Sequence, residues 1–177
     1  MPLKLLSCLF LLSYLGGSAF AASHGHGHLK VKGSIVDTAC AIATDDADQS
    51  IDLGSIAASE LITEGHSPSV PFTIHLMNCV LNSSDIHGSH HWKDVHITFD
   101  GVPDGSHLFA LHGNGKGEAV GITDAAGAVA EPGKQMAAMT IEPGSMALNY
   151  RMYVTGNHHV LQPGNFYTSI RYFMEYD

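Results

Sequence analysis

From Asn165 to the last residue, Asp177, the even positions read Phe166, Thr168, Ile170, Tyr172, Met174 and Tyr176, and are mostly apolar. The odd positions, Tyr167, Ser169, Arg171, Phe173 and Glu175, are mixed. A repeat of two residues is that of a half-buried β-strand, and Pro163-Gly164 supplies a turn ahead of it. Such a strand has two hydrogen-bonding edges to satisfy. Either earlier segments cover both, or one remains an exposed, apolar edge that another chain has to cover.

The rest of the sequence repeats the same grammar in shorter pieces. Leu29 to Asp37 places Leu29, Val31, Gly33 and Ile35 on one alternating set and Lys30, Lys32 and Ser34 on the other. Ser50 to Leu53 is expected to be a short strand closed by Gly54, and Ser55 to Ile62 is the one helical candidate. Val70 to Cys79, Val95 to Phe99, Ala119 to Thr123 and Ala147 to Val154 alternate as strands, with a weaker one at Met136 to Ile141. Asn82 to Lys93 reads as a polar insertion, and the glycine-rich His112 to Gly117 as a hairpin turn. Many short strands, turn residues between them and almost no helix describe an all-β sandwich.

The first 21 residues do not share this pattern. Lys4, the apolar run Leu5 to Leu15 and the small-x-small triplet Ala19-Phe20-Ala21 form a secretory signal, with cleavage expected after Ala21. No second apolar run is long enough to span a membrane. Loss of Lys4 takes the net charge from −9 to −10. That acidity, with few arginines, argues against nucleic acid as a partner. Loss of Cys8 leaves two cysteines, Cys40 and Cys79, and an even count in an exported chain points to a disulfide.

Thirteen histidines suggest metal chemistry. The clusters are His24/His26/His28, His87/His90/His91 and His158/His159, of which the first is the weak metal candidate. No cluster brings a cysteine or carboxylate at ligand spacing, and all fall in tails or loops, so solvated histidines and no cofactor are expected. A copper/zinc superoxide dismutase would need an H-x-H pair on a core strand, where Asp94-Val95-His96-Ile97 offers one histidine. No nucleophile motif is present, and no enzymatic activity is expected.

Taken in order, several segments together resemble the subunits of chaperone–usher pili (fimbriae) of Gram-negative bacteria. They are Val31 to Val36 followed by Cys40, Ile51-Asp52-Leu53-Gly54, Phe72 to Cys79, Val95 to Gly101, Gly121-Ile122-Thr123-Asp124 with Gly127, Leu148-Asn149-Tyr150, and Pro163-Gly164-Asn165-Phe166 leading to Tyr176. The likeness is greatest to minor and terminating subunits such as that of P pili. It implies an incomplete immunoglobulin-like sandwich that lacks its seventh strand and is completed by a donor strand from a periplasmic chaperone or a neighbouring subunit. The implied partners are that chaperone, an outer-membrane usher and the neighbouring subunits, and the implied destination is the cell-surface pilus, reached through the periplasm.

On this reading residues 1–21 are a signal peptide, 22–33 a donor-strand extension and 34–177 the pilin domain. Gly25, Gly27, Leu29 and Val31 are the inward side of the donor strand, and His24, His26, His28, Lys30 and Lys32 its outward side. Phe166, Ile170, Tyr172, Met174 and Tyr176 form the acceptor groove and the chaperone contact. A minor or terminating role is favoured. The alternatives are a major shaft pilin and, from another class, a periplasmic histidine-rich metal-binding sandwich.

Overall fold

The structure, a computed structural model of the 177-residue chain, describes residues 27–33, 38–85 and 88–177. Two compact units divide the chain, 1–35 and 36–177. Of the first unit only 27–33 are described; they carry no regular secondary structure, and Leu29 and Val31 are exposed. The expected signal peptide, and His24, Gly25 and His26, lie outside the described residues, as does the 34–37 stretch of the expected first strand.

In the second unit strands form where apolar residues alternate. In chain order the elements are β1 (Ala41–Ile42), α1 (Ala58–Thr63), β2 (Val70–Cys79), β3 (Asn82–Asp85), β4 (Gly88–His91), β5 (Asp94–Asp100), β6 (Phe109–Ala110), β7 (His112–Gly113), β8 (Glu118–Asp124), β9 (Met139–Thr140), β10 (Gly144–Gly156), β11 (Phe166–Tyr167) and β12 (Arg171–Tyr176). One sheet has the order β1-β2-β10-β8-β6, a second the order β12-β5-β9, and β11-β7 and β3-β4 form two small pairs. All pairings are antiparallel.

The core lies where the two larger sheets face each other. Strand β5 alternates buried and half-buried without a break, contributing Val95, Ile97 and Phe99. Ile74 and Leu76 from β2, Val120 and Ile122 from β8, and Leu148, Tyr150 and Val154 from β10 meet them. The Phe99 ring packs edge-on to Tyr150 at 5.0 Å and to Phe72 at 6.2 Å, joining one sheet to the other. Cys40 and Cys79 are bonded, with their Cα atoms 4.1 Å apart, so the residue just before β1 is tied to the end of β2. Loop-closure entropy in the unfolded chain makes such a bond worth roughly 4 kcal/mol.

Three local expectations need correction. Ser50 to Leu53 forms no ladder; Ile51 and Leu53 are half-buried along a cavity wall, so their alternation reflects contact rather than strand pairing. The helix starts at Ala58, after an extended Ala57 that makes no side-chain cap. The polar stretch after Cys79 is a β-hairpin, β3-β4, and Trp92 beyond it is buried. Strand β8 departs from strict alternation for a physical reason: Glu118 through Ile122 are all buried. The Tyr153 ring covers Gly121 so closely that a Cβ there would lie 2.4 Å from it.

Candidate functional site

The segment after β1 leaves its sheet at once and is held by a side-chain clamp. The carboxylate of Asp46 accepts hydrogen bonds from the His75 backbone N–H at 2.6 Å and from Gln49 at 2.8 Å, and meets His75 Nδ1 at 2.8 Å. These contacts, the backbone one foremost, hold its pKa below the usual carboxylate range. Gln49 also donates to Thr73 O at 2.7 Å. Fixed in this way, residues 47–56 run beside β2 without pairing to it, and Ile51, Leu53 and Ile56 turn toward the core.

Opposite them lies the run 161–172. It begins in an exposed loop and is seated by β7: Phe166 pairs with Gly113 and Tyr167 with His112. The glycine-rich stretch joins β6 to β8, which pair antiparallel, as the hairpin turn expected of it, and it also serves as a bed for this run. Gly113 has φ +136°, and a Cβ there would lie 2.1 Å from Asn165 O, so only glycine permits the approach. Asn114 and Gly115 donate their N–H groups to the same oxygen.

Between the two runs is an open cavity of about 930 Å³. Phe72, Ile74 and Phe99 line it from β2 and β5, Val120 and Ile122 from β8, and Met152 and Val154 from β10. These are the same inward faces that make the core, left uncovered at one end. Beside the cavity, β12 has β5 on one edge; among the described residues no strand pairs with the other.

Of the five residues expected in the groove, Phe166, Ile170 and Tyr172 are half-buried and line this cavity. Tyr172 also donates to Asp46 O at 2.8 Å, bridging the two walls, and burial pushes its phenol pKa up. Met174 and Tyr176 share the same face but do not line the cavity. They pack on the core further along, where the Tyr176 hydroxyl approaches Cys40 O at 3.4 Å. Burial raises the Tyr176 phenol as well.

The carboxyl groups at the cavity were not singled out in the sequence. Asp48 and Asp52 stand exposed on the 47–56 wall. Glu118, at the start of β8, is buried, and among the described residues its Oε2 has no hydrogen-bond partner. Burial pushes the Glu118 carboxyl above the usual range, against the pull of Lys116. Its place one step before Val120 and Ile122 on the inward set was the available signal. Among the described residues no group of three His, Cys, Asp or Glu side chains comes together as a metal site, and His28 is exposed.

Comparison with known proteins gives a consistent answer. The family described as "Fimbrial protein" matches residues 29–176. The major MR/P fimbria protein of Proteus mirabilis is 37% identical over 161 residues, covering 88% of this chain and 86% of that one. The PRS fimbrial minor pilin protein of Escherichia coli is 32% identical over 157 residues, covering 85% and 77%. The P pilus rod subunit PapA superposes with a TM-score of 0.67 at 25% identity, over 79% of this chain and 100% of that one. A solved chaperone–usher pilus subunit gives 0.71, also at 25% identity, over 88% and 98%. These relatives are structural pilins rather than enzymes, and the chain belongs with them to the fimbrial protein family, as a subunit of a chaperone–usher pilus.

Proposed function

We propose that this subunit is assembled by donor-strand exchange: residues 22–33 of one subunit enter the open groove of the next and complete its sandwich. The observation that carries the reading is the 930 Å³ cavity over the core, beside an edge of β12 that no described strand pairs with. Strand addition satisfies the backbone of such an edge and places alternate side chains into the groove. Gly25, Gly27, Leu29 and Val31 would enter, between Phe166, Ile170 and Tyr172 on one side and the 47–56 segment on the other. At about 25 cal/mol per Å² of apolar area, a strand-sized groove is worth on the order of 10 kcal/mol.

Before assembly a periplasmic chaperone fills the same groove, and Met174 and Tyr176 extend its contact along β12 toward the disulfide. The subunit, freed of residues 1–21, then passes through an outer-membrane usher to the cell surface. Sequence likeness favours a minor or terminating role, and a minor pilin is among the relatives. The open groove supports a subunit that accepts a following one over a terminator, and the similarity to a major fimbria protein points the same way.

The test is Leu29→Glu, which would place a charge in an apolar pocket. It should abolish incorporation into fibres while leaving the chain's own disulfide and chaperone capture intact. Normal incorporation of this variant would remove the donor-strand assignment.

A further inference from the structure

The groove has an uneven charge that the apolar fit does not require. Three charged side chains line the cavity, Asp48, Asp52 and Glu118; all are acidic, and among the described residues no Lys, Arg or His joins them. Of the nearby positive groups, Lys116 acts on Glu118 in the floor, and two others are engaged away from the lip. His75 is bound to Asp46, and Arg171 of β12 to Asp100 at 2.6 Å. Asp48 and Asp52 are exposed on the lip, where they would face the outward side of any strand laid in the groove, whereas Glu118 sits in the floor.

The chain's own extension carries the opposite sign. All seventeen acidic residues lie after residue 33, against five basic ones there, Lys93, Lys116, Lys134, Arg151 and Arg171. Residues 22–33 hold none of the acids, but Lys30 and Lys32. Alternation puts both lysines, with His24, His26 and His28, on the side of the strand away from Leu29 and Val31. A basic strand face and an acidic lip are thus present in one sequence but on separate segments, which is the arrangement that copies of one chain need to recognise each other.

We propose that the acidic lip formed by Asp48 and Asp52 selects a donor strand with a basic outward face, and that residues 22–33 of a second copy of this chain are its matched occupant. The proposal rests on the donor-strand reading above and adds to it a choice of partner. Apolar pockets accept many strands of alternating Leu, Val and Ile. A like-charged strand is discouraged at the lip, and an oppositely charged one is steered in, chiefly through the association rate.

Self-assembly of the full mature chain, followed as fibre elongation at low salt, tests it. Lys30→Glu with Lys32→Glu should slow elongation about tenfold or more. Asp48→Lys with Asp52→Lys should do the same, and the two pairs combined in one chain should restore most of the rate. Raising the salt toward ~1 M, where the Debye length is about 3 Å, should bring all four chains to similar rates. Asp48→Asn with Asp52→Asn, which asks less of folding, should give an intermediate rate. If both reversals elongate at the parent rate while Leu29→Glu still blocks, charge selection is wrong and donor-strand exchange stands. Failure of the combined variant to recover, with each reversal slow, equally overturns the pairing. If Leu29→Glu elongates normally, the donor-strand reading itself has failed.

Discussion

The two ends of the run from Phe166 to Tyr176, β11 through β12, lie in opposite surroundings although one pattern of residues builds both. At the Tyr176 end the sandwich is closed: β1, the Cys40–Cys79 bond and buried Trp92 complete it, and Met174 and Tyr176 pack on covered core. At the Phe166 end the same face of the chain meets a cavity, with residues 47–56 standing across it unpaired. The cause lies in the partner segment rather than in this run. β1 pairs with Leu76 and Met77, Ala43 adds one more bond to His75 O, and the chain then gives way to the Asp46 clamp, so among the described residues this edge of β2 has no ladder beyond that point. An alternating strand therefore states which of its faces is apolar, but not whether the chain itself supplies the cover.

The largest effect expected is at the closed end. Replacing Cys40 and Cys79 together by Ser should lower the unfolding free energy by roughly 4 kcal/mol, read from urea titration of the isolated chain. If closure at this end comes mainly from packing, the loss will be much smaller, and the contrast between the two ends would have to be attributed to the core alone.

Next in size is a pair of truncations that distinguishes the ends by what fills them. Leu76, fully buried, should cost about 2–5 kcal/mol as Leu76→Ala, both in the lone subunit and in assembled fibres. Ile170 lines the cavity, and Ile170→Ala should cost only about 1 kcal/mol in the lone subunit, where one side of the residue has no packing partner. In fibres the cost should rise toward that of a core residue. Equal costs for Ile170→Ala in both states would mean that nothing packs against this wall on assembly.

This difference also marks how far the sequence could be read. β2, β5, β10 and β12 were legible because each has one covered face and one freer one, so burial follows the period of two. β8 was harder, since Glu118 to Ile122 are buried on both faces. Ser50 to Leu53 misled because residues lining a groove alternate as a strand does without pairing. One wall of the site, Phe166 to Tyr172, was legible from its own pattern. Its floor came from strands remote in sequence, and the acidic lip from Asp48 and Asp52, whose alternation with Ile51 and Leu53 marks them as outward but not as facing a groove. Gly113 was legible as part of the turn between β6 and β8, but its backbone-to-backbone contact with Asn165 leaves no local signature.

The smallest effects should separate the wall and the floor of the open end by pH, with opposite signs. Asp46 fastens the groove wall, and its folded-state pKa lies below the ordinary 3.8. Its contribution is therefore present above that value and is lost as pH falls through the lower folded-state pKa. Glu118 lies in the groove floor with its pKa raised above the ordinary 4.5 by burial. The folded chain holds that proton more tightly than the unfolded one, so the stabilisation is full below 4.5 and disappears as pH rises through the folded-state pKa. Near neutrality Asp46→Asn should accordingly destabilise the lone subunit, and Glu118→Gln should stabilise it by on the order of 1 kcal/mol, the scale of an unmatched buried polar group. Both differences should shrink in acid, the Glu118 one first on descending from neutrality and the Asp46 one only below about pH 4. Urea midpoints of the two variants and the parent, taken from neutral to acid pH, check this. A Glu118→Gln variant that tracks the parent at every pH would mean that the floor carboxyl reaches water in the empty groove.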